Sequence, residues 1–100
     1  MNIGATPRHT FTVPFETDLI KELKITYAQN KKPVLEKYLA DCEVEANSVS
    51  YSLTQEETFL FDSDAMVEVQ ARVLTTAGDA IPSDIYTIRA ERCLDREVLE

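Results

Sequence analysis

Apolar and polar residues alternate strictly in two parts of this chain, and this alternation is the feature that most constrains its fold. In residues 48–53 the apolar members are Val49, Tyr51 and Leu53. In residues 66–75 they include Val67, Val69, Ala71 and Val73. A period of two places one set of side chains on one face, as in a half-buried β-strand. Since such strands need a second layer over their apolar face, the sequence predicts an all-β, largely antiparallel domain.

The first eight residues contain Gly4, Pro7 and few apolar side chains, a composition typical of a loose terminus. We therefore expect residues 1–8 to be flexible and one β-sandwich domain to occupy residues 9–99. The first strand is predicted over residues 10–15. Pro14 has no backbone donor, which favours an edge position for this strand.

Residues 18–42 fit two periods. Leu23, Ile25 and Tyr27 alternate as in a strand, whereas Ile20, Leu23 and Tyr27 also follow helical spacing. Pro33 suits the first position of a helix, and an apolar stripe follows it. The polar stretch 29–32, however, separates two runs of similar length, as in a hairpin. We predict strands here, and the alternative is an α+β fold with helices in residues 18–42.

The second half of the chain adds one helical turn and two strands. Thr54 and Glu57 have the spacing of a capping box, which predicts a single turn ending near Phe59. Residues 66–75 are predicted to form the best strand. The last strand is predicted over residues 85–92, with Tyr86, Ile88 and Ala90 facing the core. The result is a β-sandwich of about seven strands with one short helical turn.

The charge is negative and unevenly placed. Residues 1–50 hold six Lys or Arg against seven Asp or Glu, and residues 51–100 hold four Arg against eleven Asp or Glu. Because binding to a phosphate backbone depends on Lys and Arg, this balance argues against nucleic-acid binding. No apolar run approaches the roughly 18 residues of a membrane span, so we expect a soluble cytosolic product that does not bind membranes.

Few residues in the chain have the pattern of a chemical site. His9 is the one histidine, and Cys42 and Cys93 lack the close spacing of a metal or redox motif. We expect both cysteines to be buried thiols, and the alternative is a disulfide, which would need an oxidising compartment. No base stands beside either of them in the sequence.

Two pairs of acidic residues have a spacing that metal binding or acid–base chemistry can use: Glu56 with Glu57, and Asp62 with Asp64. Turn and capping roles explain these residues better, since no calcium-loop register surrounds them. The sequence therefore predicts no catalytic, cofactor-binding or metal-binding residue, and a protein that is not an enzyme.

Aromatic residues offer two kinds of binding site. Phe59 and Phe61 are candidate contacts for a protein partner if they are exposed, although their strand-like spacing also suits a core. Tyrosines at four positions would suit stacking on sugars in a carbohydrate- or small-ligand-binding sandwich. They are Tyr27, Tyr38, Tyr51 and Tyr86.

Five segments resemble small proteins of phages and prophages in Gram-positive bacteria, and in outline the N-terminal domain of the phage baseplate upper protein. The segments are residues 9–15, 24–30, 53–58, 69–74 and 83–85. The similarity spans residues 9–99. In that family the domain is an immunoglobulin-like β-sandwich that attaches a receptor-binding assembly to the phage tail. The resemblance implies the same fold here and a virion or virion-assembly component.

The predicted function is therefore that of a non-enzymatic structural or assembly protein, a tail, baseplate or connector component that acts through protein–protein contacts. Its partner is a tail or baseplate protein or a second copy of the chain. It would be made in the bacterial host cytoplasm and carried in the virion. An exposed sheet edge can make such contacts by adding a partner's strand.

Overall fold

A computed structural model describes residues 1–100 and contains eight β-strands and one turn of α-helix. The elements are β1 (Arg8–Thr12), β2 (Ile20–Gln29), β3 (Lys32–Tyr38), β4 (Glu43–Val44), β5 (Ser48–Ser52), α1 (Gln55–Thr58), β6 (Ala65–Thr75), β7 (Ala80–Pro82) and β8 (Tyr86–Ala90). Short 3-10 turns occupy Thr17–Leu19 and Leu39–Asp41. The predicted all-β class is confirmed.

Residues 18–42 form a hairpin, so the alternative with helices in this part is wrong. β2 pairs antiparallel with β3, and Asn30 and Lys31 form the turn with φ values of 51° and 64°. Left-handed backbone at both central residues suits a two-residue hairpin turn, because its twist matches that of the strands. The period of two prevails because Leu23, Ile25 and Tyr27 are all buried on one face of β2.

The strands form two antiparallel sheets. The small sheet has the order β1-β5-β4, and the large sheet begins with the order β3-β2-β6. The remaining edge of β6 pairs with two strands, β8 along its first half and β7 along its second half. β1 thus lies at the edge of its sheet, as predicted, although it ends at Thr12 and Pro14 follows it.

One hydrophobic core lies between the sheets and holds side chains from both of them. The buried apolar residues are Ile3, Ile20, Leu23, Ile25, Tyr27, Val49, Tyr51, Leu53, Phe61, Val67, Val69, Ala71, Val73 and Ala90. The predicted inward face of β6 is confirmed, since its four predicted members are in this list. Burial of this apolar surface is the main stabilising contribution to the sandwich.

The N-terminal segment, which we expected to be flexible, lies against the body of the protein. Ile3 is part of the core, and its N–H donates to the carbonyl of Glu91 at 3.0 Å. Gly4 turns the chain with a φ of 90°, and its N–H donates to the hydroxyl of Thr58 at 2.9 Å. These contacts argue against a flexible terminus. One buried isoleucine among polar neighbours was too weak a pattern to predict them.

The helical turn α1 begins as predicted. The Thr54 hydroxyl accepts a hydrogen bond from the Glu57 N–H at 3.1 Å, and the Glu57 carboxylate accepts one from the Thr54 N–H at 2.9 Å. Lys37 of β3 lies 2.6 Å from the same carboxylate. Burial raises the pKa of Glu57, but the hydrogen bonds from Lys37 and Thr54 outweigh it, and the pKa lies below its usual value. The ion pair thus fixes α1 to the large sheet.

Candidate interaction surface

The two aromatic residues predicted as partner contacts are not exposed anchors. Phe61 is 1% exposed and packs against Tyr27, with ring centroids 5.8 Å apart. Phe59 is partly buried against the core. Leu60 between them is the exposed residue, at 57%. Phe61 follows the core alternative because the chain turns after α1 and places its ring between the sheets, where burial is more favourable than exposure.

A hydrogen-bonded cluster of His9, Tyr27 and Tyr51 lies between the sheets. The Tyr27 hydroxyl contacts His9 Nδ1 and lies 2.5 Å from the Tyr51 hydroxyl. Burial raises the pKa of Tyr51 to about 12. Burial, followed by the hydrogen bond with Tyr51, raises the pKa of Tyr27 still further. Both phenols therefore stay protonated at neutral pH, and the cluster connects the sheets rather than supplying a phenolate.

The four tyrosines do not form one stacking platform. Tyr27 and Tyr51 are buried. Tyr38 and Tyr86 are exposed, but they lie in β3 and β8 at opposite edges of the large sheet. The arrangement gives no support to the carbohydrate-binding alternative, since stacking on one sugar needs neighbouring exposed rings.

The acidic residues and cysteines that the sequence singled out do not form a chemical site. Glu57 caps α1, and Asp64 pairs with Arg89 at 3.7 Å. Cys42 and Cys93 are free thiols, and both are half-buried, whereas we expected them to be buried. No group of three or more His, Cys, Asp or Glu side chains is arranged to hold a metal ion. None of the helices is long and apolar enough to cross a membrane.

The free edge of β1 carries unpaired backbone groups in alternation. The Leu53 N–H donates to the Pro7 carbonyl, and the Val13 N–H donates to the Asn47 carbonyl. Both bonds continue the register of β1 with β5, so the odd-numbered residues from 7 to 13 are the hydrogen-bonded positions. The N–H and C=O groups of Arg8, Thr10 and Thr12 consequently point away from β5. This is the geometry that an added strand would use.

An apolar gap lies between β1 and the β7–β8 edge of the large sheet, and we call this gap the seam. Two cavities occur along it, of about 290 Å³ and about 230 Å³. Phe11 of β1 and Tyr86 of β8 line both cavities and meet between them, with ring centroids 5.9 Å apart. The seam therefore presents two separate pockets on either side of one aromatic contact.

The first cavity contains polar groups. Its lining includes Arg8, His9 and Tyr27 from β1 and β2, and Thr87 and Ile88 from β8. The Arg8 guanidinium already pairs with Glu43 at 2.9 Å.

The second cavity is more apolar. Its lining includes Val13, Phe15, Ile81 and Pro82. Asp84 is its one charged residue, and its carboxylate has no ion pair. The apolar side chains nearest to solvent are Tyr86, which is 54% exposed, and Ile81, which is 41% exposed.

Sequence reasoning missed the seam. It predicted Tyr86 to face the core, whereas half of that side chain is exposed. The alternation in β8 places Tyr86 on the inner face correctly, but the small sheet ends at β1 and does not cover it. A signal was present in the apolar pair Ile81 and Ile85, which interrupts a polar stretch and fits no core pattern.

The chain matches no protein-family model, and comparisons with the curated proteins and with the solved structures find no significant match.

Proposed function

We propose that this chain is a non-enzymatic assembly protein that binds a protein partner through the free edge of its small sheet. The single observation that carries the proposal is the unpaired edge of β1 running beside the apolar seam. Exposed strand edges are normally blocked by charges, prolines or covering segments, because they pair with other chains. Here Thr10 and Thr12 present free backbone groups, and Pro14 lies beyond the strand.

The resemblance to the N-terminal domain of the phage baseplate upper protein supports a more specific proposal. The chain would be a tail, baseplate or connector component of a phage, made in the bacterial cytoplasm and carried in the virion. The same resemblance supports an immunoglobulin-like connectivity, with which the two antiparallel sheets are compatible.

Cross-linking in phage-producing cells tests this function. An affinity-tagged chain is expressed in a Gram-positive host during phage production, cross-linked, purified and analysed by mass spectrometry together with purified particles. We expect cross-links between this chain and a tail or baseplate protein, and the chain in particles or tail intermediates. The proposal is overturned if the chain is absent from all particles and intermediates and links to no particle protein.

A further inference from the structure

The N-terminal segment of the chain already fills one end of the seam. The N-terminal residues 1–3 lie beside β8: the N–H of Glu91 donates to the Met1 carbonyl at 2.8 Å, and the N–H of Ile3 donates to the Glu91 carbonyl at 3.0 Å. Asn2 and Glu91 form an isolated parallel bridge. Ile3 at the same time inserts its side chain into the core. The protein's own chain thus occupies one end of the seam through this single bridge and its flanking hydrogen bonds.

The other side of the sandwich is closed in a different way. The turn Leu39–Asp41 carries the chain directly from β3 at the edge of the large sheet to β4 at the edge of the small sheet. No such crossover joins β1 to β7 or β8. The seam from Phe11 to Phe15 is therefore a stretch between the two sheets that no crossover covers.

We infer that this uncovered part of the seam binds an extended segment of a different protein, which adds to β1 as a fourth strand of the small sheet. Of the two strands that border this part of the seam, β1 is the one that can accept a strand, because the outward backbone groups of Arg8, Thr10 and Thr12 have no partner. On β8 the N-terminal segment already occupies Arg89 and Glu91.

The two cavities define the side chains of this segment. Alternate residues of a strand point to the same face, about 6.6 Å apart along it. Two apolar residues at positions i and i+2 would thus enter the cavities on either side of the contact between Phe11 and Tyr86. The hydroxyl and imidazole groups of Tyr27 and His9 allow a polar atom in the first cavity, whereas the second takes a purely aliphatic side chain.

Charge favours a different protein over a second copy. The Asp84 carboxylate at the second cavity has no cationic partner in this chain, and Arg8 at the first is already neutralised by Glu43. A Lys or Arg flanking the apolar residues would pair with Asp84. A second copy would bring its own net charge of −8 to the interface, which opposes self-association.

A random-heptapeptide display library selected on the immobilised protein tests the seam. We expect enriched sequences with apolar residues two positions apart and a flanking Lys or Arg. Synthetic versions of these peptides should lose at least tenfold in affinity for Ile81→Glu and for Thr12→Pro. Proline at position 12 removes an outward N–H and no hydrogen bond to β5, so the sheet should be retained.

Two matched controls complete the experiment. Leu60→Glu places the same charge on another exposed apolar residue, and Tyr38→Ala alters the exposed tyrosine of the opposite edge strand, for comparison with Tyr86→Ala. Both controls should bind the peptides as the parent does. The proposal that the seam binds a peptide is overturned if no peptide is enriched. It is also overturned if Ile81→Glu and Tyr86→Ala bind the peptides as tightly as the two controls do.

A light-scattering series on the parent and on Ile81→Glu decides between occupants. A monomeric parent supports a different protein as the partner. A parent dimer that Ile81→Glu converts to monomers would overturn that choice in favour of a second copy.

This inference rests on the proposed function, and the two fail separately. A phage-protein complex that survives the seam variants would overturn binding at the seam and at the β1 edge, and would leave the role as a phage assembly protein standing. Peptide binding at the seam without any link to a phage particle would do the reverse.

Discussion

The hydroxyl groups of Tyr27 and Tyr51 lie 2.5 Å apart in the core and form a direct hydrogen bond between the two sheets. Tyr27 belongs to β2 of the large sheet, and Tyr51 belongs to β5 of the small sheet. His9 of β1 contacts the same Tyr27 hydroxyl. Three strands are thereby held by one polar chain, and buried polar groups of this kind depend on each other for hydrogen-bond partners.

Tyr27→Phe should lower the free energy of unfolding by about 1–3 kcal/mol, because it leaves the Tyr51 hydroxyl and the His9 ring without their shared partner. Tyr38→Phe, which removes an exposed hydroxyl bonded to Glu36, should have almost no effect. Urea unfolding of both variants measures the difference. Equal stability of Tyr27→Phe and the parent would mean that the hydrogen bonds do not stabilise the sandwich.

Stability should fall as the pH is lowered from about 7 to 5. Burial, followed by the positive charge of the N-terminal amino group, lowers the pKa of His9 in the folded protein below its usual 6.5. The unfolded chain therefore binds a proton at a higher pH than the folded one, and stability is lost as pH falls through the folded pKa. Urea unfolding across this range should show the slope in the parent and a flatter profile in His9→Gln. Identical profiles would remove His9 from the explanation.

Val69→Asp tests the inward face of β6. An unpaired carboxylate would be buried between the sheets, so the free energy of unfolding should fall by several kcal/mol, on the order of 3 or more. Met66→Asp is the matched control, since Met66 lies on the same strand with its side chain exposed. It should cost about 1 kcal/mol or less. Equal losses of thermal stability in the two variants would mean that Val69 does not face the core.

Gly4→Ala and Gly78→Ala test the packing of the N-terminal segment. Both glycines have φ near 90°, so alanine should cost about 1–2 kcal/mol at each. Only at Gly4 would the new Cβ also meet neighbours, with Cys93 Sγ at 3.1 Å and a Phe59 ring carbon at 3.4 Å. We expect Gly4→Ala to be the less stable variant in denaturant unfolding. Equal losses, or none at Gly4, would indicate that residues 1–8 are as flexible as their composition suggested.

The fold class and the main strands could be predicted because strict alternation determines both a strand and its inner face, as β6 and β5 show. The hairpin at Asn30 and Lys31 was harder, since residues 18–42 also fit a helical period. Pairing of β2 with β6 favours the strand over the helix. The sequence of β2 alone does not specify this neighbouring strand.

The candidate site could not be predicted from the sequence, because it too depends on how strands are arranged in space. Phe59 and Phe61 stood out by composition, yet the turn after α1 directs Phe61 into the core. The seam depends on where the small sheet stops, and on which backbone groups of β1 lack a partner. Those are properties of strand order, and no local pattern in residues 8–12 reports them.

Amide hydrogen exchange of β1, measured by NMR for the free protein and for its complex with an enriched seam peptide, tests the central claim most directly. In the free protein the amides of Arg8, Thr10 and Thr12 should exchange fast, while those of His9 and Phe11 are protected. In the complex Thr10 and Thr12 should gain protection and the pattern of β3 should stay unchanged. Uniform protection of β1 in the free protein, or no gain at Thr10 and Thr12 on binding, would contradict the account.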